Sequence, residues 1–114
     1  MMDIILQSKV ELYVPGTMGV NVAADTSDYV NKTAQNFCEW FGGATAEESN
    51  GYWNASNGET VFERVTRVWA YCTTNQLEDH IIQVYEWAQT ICRELRQEAV
   101  SVVVNGQMHL IGVE

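Results

Sequence analysis

The segment TVFERVTRVWAYC, Thr60 to Cys72, narrows the possible folds more than any other stretch of the chain. Its β-branched and aromatic residues mark a strand. Sorting them by the two-residue period of a strand separates two unlike sides. Thr66, Val68, Ala70 and Cys72 share one side, small and mostly apolar, suited to close packing beneath helices. Glu63, Val65, Arg67, Trp69 and Tyr71 share the other, the mixture of aromatics and charges that an uncovered sheet face carries. The segment is therefore expected at the centre of a sheet with helices on one face only.

The remaining elements fit around it. From Leu6 to Val14, residues Leu6, Ser8, Val10, Leu12 and Val14 alternate with Gln7, Lys9, Glu11 and Tyr13, which predicts a first strand stopped by Pro15-Gly16; the TMGVNVAA that follows reads as a loop. Asp25 or Thr26 is placed to cap a helix whose apolar stripe is Val30, Ala34, Phe37, Cys38 and Phe41, ended by Gly42-Gly43. A short strand near Gly51 to Ala55 is joined to the long one through Asn57-Gly58, read as a type I′ turn. Asn75 with Glu78 resembles a capping box for a second helix running to about Arg96, with Leu77, Ile81, Val84, Ala88, Ile91, Cys92 and Leu95 on one face. AVSVVV and QMHLIGV flank Asn105-Gly106 as a second hairpin. Strand, helix, strand, strand, helix, strand, with one extra terminal strand, is the split βαβ pattern of an α+β, ferredoxin-like fold: one antiparallel sheet carrying both helices on one face. At 114 residues, 46% of them apolar, a single domain with one core is expected.

Charge and composition exclude several functions. Fifteen acidic against six basic side chains give a net charge of −9, a poor match to nucleic-acid phosphates and to anionic membranes. MMDIILQSK has neither the basic flank nor the apolar length of a signal peptide, and no run approaches a membrane span, so a cytoplasmic protein is expected. Cys38, Cys72 and Cys92 are odd in number and lack metal-ligand spacing, so they read as buried, reduced thiols rather than a disulfide framework or zinc site.

Motifs for catalysis are sparse. His80 and His109 have no partner at metal-binding spacing, and the neighbours Glu47-Glu48 and Glu78-Asp79 point in different directions and form no acid/base pair. GGAT after the first helix is a helix stop rather than a phosphate cradle. The sequons at Asn31 and Asn54 carry no meaning in a cytoplasmic chain. No cofactor or metal is expected, and the reading is of a protein that is not an enzyme. The working surface is expected on the open sheet face, where Glu63, Arg67, Trp69 and Tyr71 are joined by Tyr13 from the first strand and Trp53 beside Gly51. Trp, Tyr and Arg dominate interface energetics, so this face predicts either pairing of two copies or docking of a protein partner.

The sequence FGGAT, GYW, FERVTRVWAYC and RQEAVSVVVNG, in that order between Lys9 and Ile111, resembles a group of small uncharacterised ferredoxin-like proteins carried by bacteria, their phages and plasmids. The resemblance implies a small acidic protein that inhibits a host defence factor by stoichiometric binding, through the open face, a sheet edge or mimicry of DNA. It carries over no catalytic residue. The alternative is a dimeric ligand-binding protein or enzyme of the same fold, with Arg67 holding a phosphate and Trp69 and Tyr71 stacking a base.

Overall fold

The computed structural model describes residues 2–19 and 22–112. In chain order the elements are β1 (Ser8–Pro15), β2 (Thr17–Met18), β3 (Val22–Ala23), α1 (Ser27–Phe41), β4 (Thr45–Asn54), β5 (Thr60–Cys72), α2 (Thr74–Glu94), β6 (Val100–Val104) and β7 (Gln107–Ile111). The five long strands form one antiparallel sheet in the order β4-β5-β1-β6-β7, the ferredoxin-like arrangement with β7 added at one edge. Both helices pack on one face, as expected from the two-sided character of β5.

The boundaries of β5 coincide with the predicted segment, and its inward residues Val68, Ala70 and Cys72 are buried. With Val10, Leu12 and Val14 of β1 and Val100 and Val102 of β6 they meet Phe37 and Phe41 of α1 and Val84, Ala88, Ile91 and Cys92 of α2. Each Val, Leu, Ile or Phe among them contributes about 1.5–3 kcal/mol when fully withdrawn from water. One hydrogen bond ties the helices together across this core and a second anchors its acceptor within α1. Trp87 Nε1 donates to Thr33 Oγ1 at 2.8 Å, and the same hydroxyl donates to the Tyr29 carbonyl at 2.7 Å, so a fully buried threonine has its hydrogen bonds satisfied. Gly16 is required where β1 leaves the sheet: a Cβ there would stand 2.7 Å from the Arg64 carbonyl oxygen, which instead accepts the Gly16 N–H at 2.9 Å.

Several local expectations need correction. Cys38 is exposed rather than buried, because α1 is rotated to bring Thr33 and the much larger Trp40 toward α2, where Trp40 stacks on His80 at 6.1 Å. The capping box of α2 uses Thr73 and Gln76, not Asn75 and Glu78: Thr73 Oγ1 accepts the Gln76 N–H at 3.1 Å, and Gln76 Oε1 accepts the Thr73 N–H at 2.9 Å. Only Gly58 of Asn57-Gly58 has positive φ, so that connection is not the I′ turn that Asn105 (φ 50°) and Gly106 (φ 83°) do make. The first strand starts at Ser8, leaving Leu6 exposed outside it. TMGVNVAA contains the short β2–β3 ladder, held by Gly19 N–H to the Leu95 carbonyl at 2.8 Å. Finally, β4 begins at Thr45, well before Gly51, and pairs with β5 along its whole length. Beyond the Pro15–Val65 pair, β4 and β5 continue past β1 as a free hairpin, which stretches the molecule to 54 × 25 × 23 Å.

The thiols give a direct check on this packing. Cys72 is buried, and burial pushes its thiol pKa up, which suppresses the reactive thiolate. Cys92 is buried as well, its Sγ donating to the Gln97 carbonyl. A thiol reagent should therefore label Cys38 rapidly and the other two only on unfolding. Rapid modification of all three in native protein would contradict the placement of α1 and β5.

Candidate functional site

The register of the sheet decides what the open face displays. Glu63, Val65, Arg67 and Trp69 of β5 stand opposite Gly51, Ser49, Glu47 and Thr45 of β4, while Arg67, Trp69 and Tyr71 stand opposite Tyr13, Glu11 and Lys9 of β1. Ser101 and Val103 of β6 and Leu110 and Met108 of β7 continue the same face. Among the described residues no layer covers it, and the twist of the sheet bends it into a groove of about 690 Å³ between the β4–β5 hairpin and the segment Arg96–Ala99. That lies within the roughly 300–1,000 Å³ of small-molecule sites. A second hollow of about 450 Å³ lies at the start of α1, where Thr26 Oγ1 donates to the Pro15 carbonyl and Asp25 Oδ1 accepts the Ser27 N–H.

Four of the six expected site residues line the larger groove: Tyr13, Trp53, Glu63 and Arg67. Trp69 and Tyr71 do not. They lie farther along β5, where Lys9 Nζ sits 5.4 Å from each ring centroid. Arg67 is also less available than the sequence suggested. Its Nη1 donates to Glu11 Oε1 and its Nη2 to Glu47 Oε1, both at 3.1 Å, and its guanidinium lies 5.0 Å from the Trp69 ring. Glu11 is 8% exposed, so this pair fastens β1 to β5 from beneath the groove. With two carboxylates already on its guanidinium, Arg67 is poorly suited to the phosphate-holding role.

Glu63 is the opposite case. Its side chain has no hydrogen bond or ion pair among the described residues, and partial burial pushes its carboxyl pKa above the ordinary value. Facing it is Gly51, where an added methyl would touch Glu63 Cγ at 3.5 Å and Val65 Cγ1 at 3.8 Å; the glycine leaves room beside the carboxylate. Trp53, 39% exposed, follows two residues on and lies on the same face, whereas its neighbour Tyr52 points to the other side and packs on Phe62 at 5.3 Å. The remaining wall comes from Arg96, Gln97, Glu98 and Ala99, which the sequence reading did not single out. A glycine inside a strand, opposite a glutamate, was the available signal for this notch, since such a residue marks close approach of a ligand or a backbone. Among the described residues no group of three or more His, Cys, Asp or Glu is placed to hold a metal ion, and no helix is long and apolar enough to cross a membrane.

No family model and no curated protein matches the chain. Two solved structures share its fold. A phage SAM lyase in complex with S-methyl-5′-thioadenosine aligns with a TM-score of 0.70 at 16% identity, over 94% of this chain and 90% of that one. A phage SAM lyase in its apo state aligns with a TM-score of 0.64 at 17% identity, over the same shares. The expectation that the chain is not an enzyme is overturned on this point. Dispersed carboxylates and unpaired histidines do not mark the fold as non-catalytic, because this architecture, at nearly the same length, is that of a lyase.

Proposed function

We propose that the chain is a lyase acting on S-adenosylmethionine, with the open-face groove as its active site. The observation that carries this reading is the agreement in fold, over 94% of the chain, with a lyase holding S-methyl-5′-thioadenosine, combined with an unpartnered glutamate in a groove of suitable size. The substrate is a sulfonium cation with an adenine ring. An acidic protein of net charge −9 attracts it, Trp53 and Tyr13 supply aromatic surface for the ring, and the Glu63 carboxylate faces its positively charged end.

The chemistry also accounts for the missing acid/base pair. Breaking the bond between sulfur and the γ-carbon of the amino-acid chain sends the electron pair to sulfur, which leaves as the neutral thioether S-methyl-5′-thioadenosine. The four-carbon fragment then balances without water when its own carboxylate attacks the γ-carbon and closes a lactone. That step is intramolecular and needs no general base; the protein has to fold the substrate chain into a reactive conformation and hold its charges. Loss of a β-proton would balance the cleavage equally well but calls for a base aimed at that carbon. The first route asks for no base, and it leaves Glu63 and Glu98, the groove carboxylates without a hydrogen bond or ion pair among the described residues, to hold the substrate's positive charge. Removal of the methyl donor would disarm methylation-dependent host factors, so the inhibition implied by the sequence resemblance would act through a metabolite.

The test is a titration of the protein with S-methyl-5′-thioadenosine and with S-adenosylmethionine, following tryptophan fluorescence. Saturable quenching by both is expected, since Trp53 lines the groove. The absence of saturable binding at about millimolar concentration, an affinity of only ~4 kcal/mol, would contradict the assignment.

A further inference from the structure

The end of α2 places an arginine where helices usually place a glycine. Gln97 N–H donates to the Cys92 carbonyl at 2.9 Å and Arg96 N–H to the Arg93 carbonyl at 3.3 Å, the paired bonds of a Schellman ending, and Arg96 occupies its left-handed position with φ 56°. The chain uses glycine in the corresponding left-handed conformation at the end of α1, Gly42 with φ 92°. Arg96 and Asn105 are the non-glycine residues with positive φ among the described residues. Asn105 has a local reason, since its Oδ1 accepts the Lys9 N–H at 2.8 Å. No such bond explains Arg96, whose guanidinium makes no hydrogen bond or ion pair among the described residues.

The backbone around Arg96 is nonetheless firmly fixed. Gln97 Nε2 donates into a ring of acceptors, the carbonyls of Leu95 and Gly19 at 3.0 Å and of Thr17 at 3.2 Å, which ties the β2–β3 segment to the end of α2. A residue held in a sparsely populated conformation by its surroundings is a candidate for function rather than for stability. Arg96 lines the groove, on the wall formed by residues 96–99, whereas Glu63 comes from β5. The groove's other arginine, Arg67, is already neutralised by Glu11 and Glu47.

We infer that Arg96 is the specificity-determining residue that binds the α-carboxylate of the substrate, holding one oxygen and leaving the other to attack the γ-carbon. The inference rests on the lyase reading above. Glu63 and Arg96 then form a charge pair matched to a zwitterionic amino-acid end, and a ligand without a carboxylate gains nothing from Arg96.

The experiment compares wild type with Arg96→Gly, which supplies the residue a Schellman ending favours, and with Arg96→Lys. Arg96→Gly should raise Tm by a few degrees, raise KM for S-adenosylmethionine about 10- to 100-fold, and leave the inhibition constant of S-methyl-5′-thioadenosine, which lacks the carboxylate, unchanged. Arg96→Lys should recover part of the KM. An unchanged KM, a loss of affinity shared equally by the thioadenosine, or a lower Tm in Arg96→Gly overturns the role of Arg96 while wild-type turnover keeps the lyase reading intact. Wild type that releases no S-methyl-5′-thioadenosine overturns both.

Discussion

Replacing Glu63 by glutamine is expected to lower turnover of S-adenosylmethionine by about 10²-fold while making the protein more stable near pH 7. The two effects have one cause. Burial raises the Glu63 carboxyl pKa above its ordinary value, and no hydrogen bond or ion pair among the described residues offsets that cost. For an acid whose folded pKa is raised, the native state binds the proton more readily than the unfolded chain. The destabilising contribution is therefore absent below the ordinary carboxylate range, grows as pH rises toward the folded value and is fully present above it. Glutamine removes it, so the variant should melt above wild type at about pH 7 and the difference should close toward about pH 4. Activity should run the other way in wild type, falling as acid protonates Glu63, with a midpoint above the ordinary carboxylate value. A glutamine variant that keeps wild-type turnover, or that is less stable than wild type at neutral pH, contradicts the placement of this carboxylate.

The largest expected loss of stability is at Phe37. Its ring is fully buried, meets Phe41 edge-on at 5.3 Å and packs among the inward residues of the sheet. Phe37→Ala should cost about 3–5 kcal/mol through lost transfer energy and the cavity left behind. A domain of this size has only about 5–15 kcal/mol in total, so the variant should unfold at a much lower urea concentration. Tyr52→Ala is the control: at 67% exposure on the projecting hairpin it loses only its cross-strand contact with Phe62, and its change should stay within about 1 kcal/mol. A Phe37→Ala variant within about 1 kcal/mol of wild type would show that α1 does not seat on the sheet through this ring.

These residues also mark how far the fold could be read from the sequence. β5 was legible to the residue because its two faces differ in kind and strong turn residues bound it. The helix stripes were legible where apolar residues recur, but the rotation of α1 was not. Periodicity places Cys38 and Trp40 near opposite margins of one stripe, and only the packing of Trp40 against His80 decides which is drawn in. The first half of β4, TAEESN, has no apolar alternation because it is an edge strand whose side chains stay largely wet; its identity comes from backbone pairing with β5. The groove was half legible. Glu63, Arg67 and Tyr13 follow from strand alternation on an uncovered face, and Trp53 is placed beside them or over the sheet edge only by its position near Gly51, but the commitment of Arg67 to Glu11 and Glu47 depends on register between three strands. Arg96 was read as part of a helix terminus and nothing more, since its left-handed backbone, anchored by Gln97, is set by a contact with a segment far away in the chain.

The central claim is that the open-face groove cleaves the carbon–sulfur bond of S-adenosylmethionine, and the most direct measurement is the product itself. Purified wild-type protein incubated with excess S-adenosylmethionine, with the mixture separated by liquid chromatography and identified by mass, should release many equivalents of S-methyl-5′-thioadenosine per chain, with Glu63→Gln reduced about 10²-fold in the same assay. Substrate that remains intact beyond its spontaneous decay, in protein shown to be folded by its melting transition, would contradict the account.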